Sequence, residues 1–102
     1  MRERLSEERA GFLLQSLQGW QIEEGKWLVK KYRFPSFPAA VTFVNEAARI
    51  AEEMNHHPMI AIDFRVVTLR LTTWSAGGLT GLDFAGAERY DERFGALKEA
   101  EG

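Results

Sequence analysis

The chain has no cysteine, which excludes disulfides, thiolate nucleophiles and cysteine-built zinc sites. No apolar run approaches the roughly 20 residues that a membrane span needs. The opening stretch, MRERLSEERAG, is charged where a secretory leader requires an apolar core. A cytoplasmic protein with no membrane partner is therefore expected. An excess of charge of one sign is also lacking: 13 Lys+Arg stand against 15 Asp+Glu, a net charge of −2. The whole chain thus carries no electrostatic footprint for nucleic acid. Lys26, Lys30, Lys31 and Arg33 gather locally, but Trp27, Leu28, Val29 and Tyr32 interrupt them, and the group reads as one solvated strand face. Histidine is scarce too, with only two residues.

The 102 residues leave room for one domain, 1–102, around one core. A 45% hydrophobic and 27% charged composition suits an ordinary globular fold rather than a disordered chain. Ser6 before Glu7 and Glu8 has the form of a helix N-cap with acidic residues in the first turn. Ala10, Leu13, Leu14 and Leu17 then recur at helical spacing, and Gly19 is placed to end the helix. Trp20-Gln21-Ile22 and Lys26 to Phe34 flank Glu23-Glu24-Gly25, the makings of a tight turn between two strands. Pro35 and Pro38 close that section.

The strongest helix runs from about Ala39 to Met54. Ala40, Phe43, Val44, Ala47, Ile50, Ala51 and Met54 form its apolar stripe, and Asn55-His56-His57-Pro58 stops it. From Ala61 to Trp74 the residues favour strand, but the alternation changes phase. Ile62, Phe64 and Val66 are apolar at even positions, Val67, Leu69 and Leu71 at odd ones. One straight strand cannot bury both sets, so a turn or bulge near Arg65-Val66 is expected to divide them. Thr80-Gly81-Leu82-Asp83 has capping-box spacing, flanked by Leu79 and Phe84 as a hydrophobic staple, and opens a last helix. The order α-β-β-α-β-β-α predicts an α+β, two-layer domain, a four-stranded antiparallel sheet with helices on one face.

Chemistry concentrates at the two histidines, which are adjacent. Imidazole titrates near neutrality and can both give and take protons at working pH. His56 and His57 follow a helix C-terminus, whose carbonyls favour imidazolium, and Glu52 lies one helical turn before His56. Pro58 holds His57 extended and fixes how the chain leaves the helix. A histidine pair is also ordinary surface sequence at a helix stop. A metal site fits poorly, because adjacent side chains chelate one ion badly and no third histidine or cysteine exists.

Glu52-Glu53-Met54-Asn55-His56-His57-Pro58, followed by Phe64, Trp74 and Asp83, resembles the motif of the pterin-4a-carbinolamine dehydratase family. Five residues separate Pro58 from Phe64, nine separate Phe64 from Trp74, and eight separate Trp74 from Asp83. Leu5-Ser6, Gly19-Trp20, Phe34 with Phe37, Thr72-Thr73 and Gly78-Leu79-Thr80 are similar landmarks, so the likeness covers nearly the whole chain. It implies a hydro-lyase that converts 4a-hydroxytetrahydropterin to quinonoid dihydropterin and water. Such a step recycles tetrahydrobiopterin-type cofactors. The resemblance implies a small-molecule pterin as partner, no nucleic acid, and a homodimer or homotetramer. It also implies that the enzyme itself needs no cofactor and no metal.

By the same resemblance His56 and His57 are the catalytic candidates, and Trp74, Asp83 and Pro58 the substrate-binding ones. Many members carry a third histidine where this chain has Trp74, whose indole N–H only donates. Trp74 either stacks on a pterin or packs at a strand end. Asp83 either caps the last helix or belongs to the site, and both hold if the capped end faces the site. Phe64 reads as a core residue of an alternating strand. Some relatives act as transcriptional coactivators or assembly factors, so a silent member that binds another protein is the competing expectation. Met59-Ile60-Ala61, apolar where polar and aromatic residues commonly follow, would suit it.

Overall fold

The computed structural model describes residues 3–101, with side chains through residue 100. Helix α1 spans Glu7–Leu14, strands β1 and β2 Gln21–Glu23 and Trp27–Arg33, and helix α2 Phe37–Met54. Strands β3 and β4 follow at Met59–Asp63 and Val66–Leu71. A short 3-10 turn occupies Trp74–Ala76, and helix α3 runs Gly81–Glu101. The four strands form one antiparallel sheet in the order β1-β2-β4-β3. This is the expected α+β architecture. No helix among the described residues is long and apolar enough to cross a membrane.

Register decides which side chains meet the helices. Leu28 faces Leu71, and Tyr32 faces Val67 across β2 and β4, and all four are buried. They pack with Phe43, Ala47 and Ile50 of α2 and Phe84, Ala87 and Tyr90 of α3. The apolar stripe of α2 is as expected, although the helix begins earlier. Ser36 is its N-cap, accepting from Ala39 N at 3.2 Å, and Pro38 sits in the first turn where its missing N–H is harmless. Helix α1 ends at Leu14 rather than near Gly19, and Gln15, Ser16 and Leu17 continue only as i→i−3 turns.

Two readings of the strands are corrected. The turn between β3 and β4 is Phe64–Arg65, one residue earlier than expected, and Phe64 has a left-handed φ of 53°. Its ring therefore points off the hairpin tip at 65% exposure and is not core. Nor do the lysines share one solvated face. Lys30 is on the helix side, bonded to Asp91 Oδ1 and Gln18 O at 2.8 Å each. Asp91 also accepts from Tyr32 Oη and Trp20 Nε1, so one carboxylate of α3 anchors that helix against β2 and the segment leading into β1. Burial and this carboxylate push the Tyr32 phenol far above its ordinary range.

Candidate active site

Helix α2 ends through Asn55, which adopts the left-handed conformation (φ 51°, ψ 43°). Asn is one of the few residues that tolerates it at modest cost. The His56 N–H then reaches back to Ala51 O at 3.1 Å, closing a Schellman-type end. This reversal sends the two imidazoles to opposite sides. His56 turns inward and is 9% exposed, while the His57 side chain stays outside at 56%. Glu52 consequently pairs with His57, Nε2 to Oε2 at 2.5 Å, and not with His56 as helical spacing suggested. Spacing arguments assume a continuing helix, and Asn55 breaks it one residue too soon.

The partner of His56 is Asp83. Its Oδ1 lies 2.6 Å from His56 Nε2, 27 residues away in sequence, and the aspartate is 0% exposed. The other oxygen, Oδ2, accepts from the Thr80 backbone N–H at 2.9 Å and from the Thr73 hydroxyl at 2.8 Å. Asp83 thus caps α3 and backs His56 at once, one oxygen to each task. Thr73 reaches this point because Thr73 and Gly78 bridge across the Trp74–Ala76 turn, with Thr73 N donating to Gly78 O at 3.1 Å. Asp83 is fully buried in the single chain, and its Oδ1 meets His56. Pro58 is half-buried where the chain enters β3.

Both imidazoles therefore follow one plan, with Nε2 directed at a carboxylate. A carboxylate at Nε2 orients the ring and accepts its proton there, which leaves Nδ1 to exchange protons. Trp74 is 71% exposed and touches Trp27 edge-on, with ring centroids 5.2 Å apart at 84°. Trp27 is in turn covered by Arg70, whose guanidinium carbon stands 5.1 Å from its ring and which pairs with Glu23 at 2.9 Å. Trp74 is thus no core residue; one face of an indole is held up to solvent. Four surface cavities of about 170 to 490 Å³ are lined by other residues, and none includes His56, His57, Trp74 or Asp83. Within one chain the His57 ring is exposed, and the His56 ring is turned inward toward Asp83.

The model of the family described as pterin 4 alpha carbinolamine dehydratase matches residues 3–93. The chain belongs to this family. A protein of Roseiflexus castenholzii, provisionally named a pterin-4-alpha-carbinolamine dehydratase, is 48% identical over 86 residues, covering 84% of this chain and 87% of that one. A Mycobacterium tuberculosis protein of the same provisional name is 42% identical over 92 residues, 90% of this chain and 97% of the other. Among solved structures, a transcriptional coactivator/pterin dehydratase from Brucella melitensis superposes with a TM-score of 0.84 at 32% identity. That match covers 88% of this chain and 97% of the Brucella one. A pterin dehydratase-like protein identified as a RuBisCO assembly factor in the alpha-carboxysome matches at TM-score 0.62 and 26% identity, over 78% of this chain and 89% of its own.

Set against the family motif, the structure joins His56 to Asp83 directly and leaves His57 and Trp74 exposed, one before and one after the β3-β4 hairpin. Three participants were not legible as such. Thr73 stood out only as a landmark, and Thr80 only as the start of the capping box that opens the last helix, not as a partner of Thr73. Trp27 gave no signal, because nothing in strand alternation says which distant aromatic it will meet.

Proposed function

We propose that this protein dehydrates a 4a-hydroxytetrahydropterin to the quinonoid dihydropterin, with His56 and His57 moving the protons. The observation that supports this best is the pair of adjacent imidazoles, each with a carboxylate at Nε2. The pterin N5 lone pair expels the C4a hydroxyl as one histidine protonates the departing oxygen and the other takes the ring proton. Proton count closes with release of one water, and neither electrons nor a metal ion enter. Trp74 offers a flat surface for the pterin, and the setting we assign is cytoplasmic recycling of a tetrahydrobiopterin-type cofactor. The purified protein should accelerate decay of a synthetic 4a-hydroxytetrahydropterin, equally before and after exhaustive chelation. Loss of rate on chelation, restored by one ion, would remove the metal-free mechanism; no acceleration in either sample would remove the enzyme.

Trp74→Ala should raise KM several-fold with a smaller change in kcat, as expected for losing an aromatic contact of about 1 kcal/mol. Its melting temperature should hardly move, because the side chain is 71% exposed. Trp74→His should keep or raise kcat by adding a third proton-transfer group. Titration of pterin binding beside thermal melts checks both variants.

The alternative, a silent relative that binds another protein, is favoured by one feature. Met59 and Ile62 are exposed on β3, the edge strand that begins directly after Pro58, and Phe64 is exposed at its hairpin tip. An unpaired apolar edge of this kind is a docking strand. We assign it to a second copy of this chain, in a homodimer or homotetramer. Sedimentation should find a dimer or larger for the wild type and a monomer for Ile62→Lys. A monomeric wild type that is also inactive on the pterin would favour the protein-binding alternative.

A further inference from the structure

We infer that Thr73 and Thr80 are positioning residues that fix the tautomer of His56, so that Nε2 carries the proton and Nδ1 is the atom that works on substrate. The inference deepens the dehydratase reading and rests on it for the word "substrate", but the proton placement stands on the hydrogen bonds that converge on Asp83.

Five groups meet out of contact with water or nearly so. The Leu82 N–H donates to Thr80 Oγ1 at 3.2 Å, and Thr80 Oγ1 and Thr73 Oγ1 are 2.8 Å apart. Thr73 Oγ1 is 2.8 Å from Asp83 Oδ2, and Asp83 Oδ1 is 2.6 Å from His56 Nε2. Thr73, Thr80 and Asp83 are 2%, 0% and 0% exposed. Each hydroxyl has one hydrogen to give, and a buried donor without an acceptor costs about 1–3 kcal/mol.

Two directions are possible along this line. In one, Thr80 donates to Thr73, Thr73 donates to the carboxylate, and Asp83 Oδ1 is left to accept from His56 Nε2–H. Every hydrogen is then used. In the other, a protonated Asp83 donates from Oδ2 to Thr73, and Thr73 donates to Thr80. Thr80 Oγ1 already accepts from Leu82 N, and its own hydrogen then has no acceptor among the described residues. A proton on Oδ1 instead would hand His56 the opposite tautomer, but would weaken an acceptor on which two donors converge. The convergence of the Thr80 N–H and the Thr73 hydroxyl on Oδ2 favours the ionised carboxylate, and with that the first direction satisfies the cluster.

Nδ1 of His56 has no hydrogen-bond partner among the described residues and does not figure among the fully buried, unpartnered side-chain atoms, so it retains contact with solvent. It is the nitrogen a ligand can reach. The two threonines thus act on chemistry through Asp83, touching no substrate themselves. The short Trp74–Ala76 turn serves the same end, since its closure by Thr73 and Gly78 puts the two hydroxyls side by side.

With only two histidines in the chain, long-range nitrogen–proton NMR on labelled protein resolves both rings, His57 being assigned by its loss in His57→Gln. The wild type should show His56 as a single species protonated at Nε2 above the pH where the ring is charged. Thr73→Val should give His56 nitrogen shifts averaged between tautomers, with kcat lower by about tenfold and KM within twofold. Thr73→Ser should restore both, which a purely packing role for the threonine methyl would not predict. A wild-type His56 protonated at Nδ1, or a folded Thr73→Val protein with unchanged nitrogen shifts, would overturn the inference. The spectra decide it even if the protein proves inactive on pterins, in which case the dehydratase reading fails and the tautomer assignment survives.

Discussion

Replacing His56 by alanine should lower the rate of pterin dehydration by about 100-fold or more, the usual scale for losing a general acid or base. His57 is the only other side chain in the chain whose ordinary pKa lies near neutrality. Stability should fall as well, by about 1–3 kcal/mol, because Asp83 Oδ1 loses its partner in a fully buried place. His57→Ala should show the contrast, a loss of rate with almost no loss of stability, since its ring and Glu52 are both exposed. Steady-state kinetics beside denaturant titrations separate the two effects. Single variants that both retain near wild-type turnover would show that the imidazoles do not carry the reaction.

The contrast between the two histidines was only half legible in the sequence. Their adjacency at a helix stop followed by proline could be read directly, and so could the apolar stripe of α2 that puts this stop beside the sheet. Which ring turns inward could not be read, because it depends on one backbone angle at Asn55. The phase change between Val66 and Val67 announced the β3-β4 hairpin. It misled about Phe64, since period-two alternation holds only while the chain stays in a strand, and Phe64 is already in the turn. Trp74 illustrates a different limit. Its type and position were clear, but its exposure depends on Trp27 holding it edge-on, a contact between residues 47 positions apart.

Asp83 is where local pattern and long-range geometry coincide. Capping spacing after Thr80 explains why an acidic residue stands there at all, and the same spacing puts its second oxygen within reach of His56. The structural and functional readings are therefore not alternatives, and two substitutions should separate their contributions. Asp83→Ala should be among the most destabilising changes at the site, by about 3–5 kcal/mol. It removes the helix cap and strands the Thr73 hydroxyl and the Thr80 N–H away from water. Asp83→Asn keeps the shape and the cap, because the amide oxygen can take the place of Oδ2 and accept from Thr73 and Thr80. Its NH₂ group then faces His56 Nε2, which can only accept from it, and the imidazole is forced to the Nδ1–H tautomer. With Nδ1 protonated and Nε2 turned to the amide, dehydration should fall by a factor on the order of 10²–10⁴ while the protein melts within a few degrees of wild type, the lower figure being reached if His57 carries part of the proton transfer. Melting curves, nitrogen shifts of His56 and single-turnover rates on the same samples test this. An Asn variant with normal rates would mean that Asp83 serves the helix alone, and that His56 chooses its own proton.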